Sequence, residues 1–204
     1  MDAVDIDLPE GFMHATARHS REVGEITADA FRNDPFNAWL FGKYAAIRAL
    51  FHAQARRIYV PRGFSYRIGD EGAAMWMLPG GDSSLSLVDY AAIVLPTLWH
   101  CGPTAVSRAL KTGEAMERQH PDFEHAYLFS IGVRAAHQGK GLGRRLIQPM
   151  LDACDKAGTR AYLENTNPAN TGFYRSCGFE PMGEVRPTPD APPMVQMVRE
   201  PRSA

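Results

Sequence analysis

The chain has 204 residues, of which 45% are hydrophobic and 22% charged, with a formal net charge of -1. This is the balance of a soluble globular protein of one domain with a substantial core. It excludes a global attraction to nucleic acid or to an anionic membrane, so any anion site must be local.

Residues 1–10 carry four acidic side chains and no long apolar run, which fits neither a signal peptide nor a membrane anchor. Phe12 to Thr16 reads as a first strand. Ser20 offers an N-cap for a helix through Phe31, with Val23, Ile26 and Ala30 on one face. Asn33-Asp34-Pro35 breaks that helix, and a second runs from Tyr44 to Tyr59 and stops at Pro61-Arg62-Gly63. Phe64 to Ile68 and Ala73 to Leu78 flank a Gly69-Asp70-Glu71-Gly72 turn, a hairpin signal. Ser84 to His120 reads as helical, interrupted at Pro96 and at Gly102-Pro103. A strand from His125 to Val133 then leads through a glycine-rich turn into a helix that ends at Gly158. Arg160 to Glu164 is a short strand, Asn170 to Cys177 a short helix, and Glu180 to Arg186 and Met194 to Arg199 are the last strands. The order is mixed α/β, antiparallel first and with a βαβ unit later.

Cys101, Cys154 and Cys177 form no CxxC pair and read as reduced, buried thiols, which points to the cytosol. The seven histidines are scattered, with His120 and His125 five apart, so no metal framework is expected. Tyr90 to Trp99 is apolar but too short to span a bilayer.

The most informative stretch is Val133 to Arg144, with glycines at 139, 141 and 143 and cations at 140 and 144 between a strand and a helix. Glycines remove the Cβ atoms that would block close approach, and the first helical turn adds unpaired N–H donors and the positive dipole end. Such a cup suits a pyrophosphate. A Rossmann fingerprint would need glycine where Arg144 stands, and a P-loop would need Ser or Thr where Gly141 stands. Pro149 lies within the following helix, where it costs about 3 kcal/mol unless a kink relieves it. The spacing of Leu142, Leu146, Ile147, Met150, Leu151 and Cys154 continues on both sides of it, which predicts one kinked helix.

Val133-x-x-x-x-Gln138-x-x-Gly141-x-Gly143, followed by Asn170-x-x-Phe173-Tyr174-x-x-x-Gly178-Phe179, resembles the GNAT superfamily of acyl-CoA-dependent N-acetyltransferases. The pattern is similar above all to its puromycin N-acetyltransferase-like members, closely over residues 125–199 and loosely before them. The resemblance implies a single GNAT domain over 1–204. It implies an α/β fold with a mixed, mostly antiparallel central sheet splayed at the coenzyme A site and flanked by helices, with 84–120 as a helical insert on the acceptor side.

It further implies acetyl-CoA as co-substrate and no metal. Main-chain groups of Ile131 and Val133 would pair with the pantetheine arm. Gln138, Gly139, Lys140, Gly141, Leu142, Gly143 and Arg144 would surround the pyrophosphate, although Lys140 is equally at home in solvent. Asn170 would hold the pantetheine or phosphate arm, or cap its helix. Tyr174 would be the general acid for the departing thiolate: a phenol of pKa about 10 can protonate a thiolate of about 8.5 and stay neutral at pH 7. The alternative for Tyr174 is a core residue whose hydroxyl bonds the backbone.

The general base stays open. Strict alternation puts His125, Tyr127, Phe129, Ile131 and Val133 on one face. Tyr127 and Phe129 stand where some family members carry Glu or His. His125 has a suitable pKa but lies further off, and Glu164 is possible but reads more readily as structural. Asp34, Phe36, Trp39 and Trp76 join His125, Tyr127 and Phe129 as candidates for the acceptor side, where aromatics with one acid suit a small cationic amine. The function implied is direct acetyl transfer from acetyl-CoA to a primary amine, of a small and antibiotic-like molecule or of a peptide, with a non-catalytic acyl-CoA sensor as the alternative. No nucleic-acid or membrane partner is expected, and the sequence leaves monomer or homodimer open.

Overall fold

The computed structural model describes residues 1 and 6–202; two of the four acidic side chains of the N-terminal stretch read above, Asp2 and Asp5, lie outside the described residues. Seven strands form one sheet in the order β1-β2-β3-β4-β5-β7-β6 among the described residues. They are β1 (Phe12–His14), β2 (Phe64–Ile68), β3 (Gly72–Met77), β4 (His125–Val133), β5 (Arg160–Asn165), β6 (Glu180–Val185) and β7 (Met194–Arg199). Every neighbouring pair is antiparallel except β4 and β5. Their parallel pairing covers His125 to Tyr127 against Arg160 to Tyr162 and goes no further, so beyond Tyr127 and Tyr162 the two strands part and open a wedge in the sheet.

One face of the sheet is covered by α1 (Ser20–Ala30), α2 (Pro35–Leu40) and α3 (Tyr44–Gln54). A π-helical turn (Ala55–Tyr59) and α4 (Val60–Arg62) complete this layer. The sheet residues they cover are Ala73, Met75, Met77, Tyr127 and Tyr162. α7 (Leu142–Ala157) and α8 (Thr171–Ser176) cover the other face, against Tyr66, Trp76, Leu128 and Leu163. Fully burying side chains of this size stabilises the fold by about 1.5–3 kcal/mol each. α5 (Leu87–Cys101) and α6 (Pro103–Gln119) form the insert.

Several local expectations are corrected. Ser20 is the first residue of α1 rather than its cap; its hydroxyl donates to the Ala17 carbonyl. Pro96 does not interrupt α5, which runs through it to a positive-φ glycine at 102 (φ +80°). The short α2 has no counterpart in the sequence reading; it starts at Pro35 because Asp34 caps it, Oδ1 accepting from the Asn37 N–H at 2.9 Å. α7 contains Pro149 and continues to Gly158, as the apolar spacing predicts.

The central correction concerns β4. Its pairing with β3 runs from Ser130 opposite Met75 to Leu128 opposite Trp76, so Phe129 is an extra residue, a β-bulge. The bulge reverses the alternation. Tyr127 and Phe129 face the layer of α1 and α3, whereas Ile131 and Val133 pack with the α7 side. The five residues expected on one face are therefore divided between two.

Candidate active site

The wedge between β4 and β5 separates two hollows. The first is a groove of about 610 Å³ on the α7 side. Ile131, Val133, Gln138, Gly139, Gly141, Leu142, Gly143, Arg144, Asn170 and Tyr174 all line it. The turn before α7 is shaped by Gly139 and Gly141, both at φ +76°, a conformation that any side chain would strain. The first N–H groups of α7 have no intrahelical acceptor and point to the groove end of the helix. Gln138 Nε2 donates to the Val133 carbonyl at 2.9 Å and ties the turn to the end of β4. Arg144 Nη2 donates to Ser176 Oγ at 2.6 Å, which links α7 to α8. Lys140 is not in the lining; its Nζ lies 3.5 Å from the Ala136 carbonyl.

Asn170 precedes α8 but makes no side-chain cap, which leaves its amide to the groove. Tyr174 packs edge-on to Phe173 and Phe179, with ring centroids 5.2 and 6.0 Å away. Burial first, then the nearby Cys177 and Asp34, push its hydroxyl well above the ordinary phenol range, so it stays protonated at any physiological pH. Cys154 and Cys177 are buried free thiols, and burial raises the pKa of Cys177.

The second hollow is a cavity of about 280 Å³ on the α1–α3 side, roofed by the insert. Phe36, Tyr127 and Phe129 line it, together with Phe41, Phe51, Ile93, Leu110 and Met194. Tyr59, delivered by the π turn, stacks on Phe129 at 4.3 Å. Phe31 lines both hollows, and Thr166 of the cavity donates to Asp34 Oδ2 of the groove at 2.8 Å. Asp34 is thus at the junction, a buried cap whose pKa burial raises while its hydrogen bonds oppose the rise.

Three candidates for the acceptor side lie elsewhere. Trp39 is outside the cavity lining, its Nε1 donating to Asp190 Oδ2 at 3.0 Å and its ring under Arg108. Trp76 is fully buried on the opposite face of the sheet, because its β3 position pairs with the α7-facing Leu128. His125 stands at the start of β4 with its Nε2 3.1 Å from His120 Nε2, behind the cavity wall rather than in it.

Glu164, which the sequence left as the structural option, does line the cavity. Its side chain is 3% exposed. Oε1 accepts from the Tyr162 hydroxyl at 2.8 Å, and Oε2 is buried without a hydrogen-bond partner. Burial pushes its carboxyl up, opposed by the Tyr127 and Tyr162 hydroxyls. The signal that could have singled it out is an acid directly following the apolar run Ala161, Tyr162 and Leu163 of β5.

The insert is clamped in place. Asp89 in the first turn of α5 is held by Ser86, Arg57 and Arg62, which keep its carboxyl below the usual carboxylate range. Lys43 Nζ donates to the His100 carbonyl, and Arg108 to that of Trp39. Among the described residues no cluster of His, Cys, Asp and Glu could hold a metal, and no helix is long and apolar enough to cross a membrane.

Comparison with known proteins bears on this geometry. The acetyltransferase (GNAT) family model matches residues 110–179, from within α6 to just past the end of α8. An uncharacterized N-acetyltransferase of Schizosaccharomyces pombe is 26% identical, over 92% of this chain and 82% of that protein. The N-alpha-acetyltransferase RimI of Mycobacterium tuberculosis is 43% identical over 31% of this chain and 39% of its own length. The crystal structure of a histone acetyltransferase HPA2 and related acetyltransferase from Corynebacterium glutamicum superposes with a TM-score of 0.69 at 23% identity, covering 95% of this chain and 97% of that one. The fold is the GNAT fold, and residues 110–179 of this chain match the GNAT family model.

Proposed function

We propose that this chain is an acetyl-CoA-dependent N-acetyltransferase that transfers the acetyl group directly to a primary amine of a small molecule, with Tyr174 as general acid. Within the superfamily, the Gln138 to Gly143 and Asn170 to Tyr174 motifs argue for kinship with the puromycin N-acetyltransferase-like members. The observation that carries the reading is the meeting of two unlike hollows at one gap in the sheet: a polar groove ending at a helix N-terminus, and an apolar cavity with a buried acid.

The groove fits coenzyme A. Gly139 and Gly141 turn the backbone so that N–H groups face a pyrophosphate, and Arg144 adds charge at the rim. After the bulge, the main chain of Ile131 and Val133 borders the groove and is free of β5, so it can hydrogen-bond an extended pantetheine arm. Acetyl-CoA supplies the activated acyl carbon. Tyr174 lies in the same groove with its proton in place for a leaving thiolate. Direct transfer is favoured because Cys177, the thiol nearest Tyr174 in sequence, is buried and its pKa is raised, which makes a poor nucleophile.

A small acceptor is favoured over a peptide by the cavity itself. At about 280 Å³ beneath two helices it is at the lower end of small-molecule sites. The reading is tested by calorimetric titration with acetyl-CoA together with a thiol-release assay on small amines and on peptides with free N-termini. Binding plus release with small amines is expected. Binding without release would leave a sensor, and release with peptides alone would make this a peptide acetyltransferase.

A further inference from the structure

We propose that the cavity under α5 and α6 accepts a primary amine with an aromatic or bulky apolar body, and that Glu164 takes the ammonium proton and hands it to solvent through His120, whose tautomer His125 fixes. This rests on the acetyltransferase reading above.

The cavity's charge pattern identifies the ligand. Its wall is built from Phe, Leu, Ile and Met side chains, and its ionisable groups apart from tyrosines are Glu114, Glu117 and Glu164, with no Lys, Arg or His in the lining. Glu114 and Glu117 are exposed at the α6 side, whereas Glu164 is buried in the sheet wall. An acidic entrance, an apolar chamber and a buried carboxylate with one oxygen unpaired suit a cation whose remainder is apolar.

The exit route is set by hydrogen-bond chemistry. His125 Nδ1 lies 2.7 Å from the Phe123 carbonyl, which only accepts, so that nitrogen carries the proton. In neutral His125 the other nitrogen, Nε2, is then bare. Its 3.1 Å contact with His120 Nε2 requires His120 to be the donor. Neutral His120 therefore has a bare Nδ1, and this is the atom turned to Glu164 Oε1, at 3.9 Å. That separation is longer than a hydrogen bond, so the transfer requires the imidazole to close on the carboxylate or a water to enter beside them. Every link is set to accept a proton from Glu164, and His120, with 38% of its side chain exposed, opens to solvent. Burial lowers the pKa of both histidines, so they rest neutral and a proton that reaches His120 is readily given up to water. Tyr162 fixes Glu164 from its own strand and is itself held by Gln196 Nε2 at 2.8 Å, while Tyr127 and Tyr59 face the carboxylate from β4 and the π turn.

The protons and electrons balance as follows. The ammonium gives a proton to the Glu164 carboxylate, which releases it through His120 to solvent. The amine lone pair forms the N–C bond to the acyl carbon as the C–S pair leaves to sulfur, and sulfur takes the Tyr174 proton. The nitrogen loses one further proton, and an equivalent proton from solvent restores Tyr174. The sum is amide, free thiol and one proton.

The test compares 2-phenylethylamine, ethanolamine and a short peptide with a free N-terminus, with acetyl-CoA, in the wild type, Glu164→Gln and His120→Gln. The expected kcat/KM for 2-phenylethylamine exceeds that for ethanolamine by about 100-fold or more, from burial of the ring. Glu164→Gln is expected to lower kcat at pH 7 by about 100-fold with acetyl-CoA affinity retained, and to recover as pH rises and frees the amine. His120→Gln is expected to lose about 10-fold and to be rescued by added imidazole, a response that a structural role would not give. Equal use of ethanolamine, or a wild-type pH profile in Glu164→Gln, overturns this proposal and leaves the acetyltransferase reading standing. No thiol release with any amine, despite acetyl-CoA binding, overturns both.

Discussion

Phe129 and Ser130 are neighbours on β4, yet both face the α1–α3 side of the sheet. Phe129 stacks on Tyr59, and Ser130 is opposite Met75. That repeat restores Gly132 to the same side, where an added Cβ would come 2.7 Å from the Ala30 Cβ and 3.4 Å from the Thr27 Cα. The bulge thus lets α1 lie close on β4 and brings the end of α1 to the wall of both hollows.

Gly132→Ala should therefore push α1 off the sheet. Overpacking of this kind costs about 1–3 kcal/mol. Urea denaturation should show that loss, and acetyl-CoA affinity should fall with it, because Asp29, Ala30 and Phe31 border the groove.

Gly141→Ala should act differently. Nothing lies within 4 Å of the Cβ it would gain, so its cost comes from φ +76° alone, about 1–2 kcal/mol. Calorimetry should show acetyl-CoA affinity reduced by about 10-fold or more, while the amine KM at saturating acetyl-CoA changes little.

Tyr174→Phe keeps the ring contacts with Phe173 and Phe179 and removes the proton. Turnover should drop by about 100-fold or more with acetyl-CoA binding nearly unchanged. Unchanged turnover would remove Tyr174 from the chemistry.

Glu164 links stability to pH with a definite sign. Its folded pKa is raised, so between the unfolded and folded values the native state binds more protons, and stability falls as pH rises through that window. Glu164→Gln should abolish this decline and be more stable than the wild type at neutral pH, even as it loses activity. Thermal melts across pH 4 to 8 check it; a variant less stable than the wild type at pH 7 would contradict it.

Asp89 has the opposite sign. Its pKa is depressed by Ser86 and the two guanidinium groups, so its contribution is complete above the unfolded value and is lost only as pH falls through the folded one. Across ordinary assay pH the clamp stays closed. Asp89→Ala should loosen α5, raise the amine KM and leave acetyl-CoA affinity unchanged, as steady-state kinetics with calorimetry can show.

The sequence was most legible where function acts through the backbone. Gly139, Gly141 and the start of α7 follow from local rules, and the helix carries its apolar spacing past Pro149. The hairpin at Gly69 to Gly72 was also readable, since its register follows from local turn chemistry. What was not legible depends on distant contacts. A bulge leaves no mark in an alternating strand, so Ile131 and Val133 were assigned to the wrong face relative to Tyr127. Trp39 and Trp76 looked like acceptor residues because aromatics are at home equally in cores and in pockets; Asp190 holds one and strand parity buries the other. Glu164 was legible as a possible base but not as one in a cavity, which exists only once β5 and the α5–α6 insert are brought together around it.

The central claim is most directly tested by incubating the protein with acetyl-CoA carrying an isotopically labelled acetyl group and 2-phenylethylamine, then measuring amide and free thiol together. The account predicts labelled N-acetyl amide and thiol in equal amounts, with no labelled protein when the amine is left out. Label retained on the protein, or thiol released without amide, would contradict it.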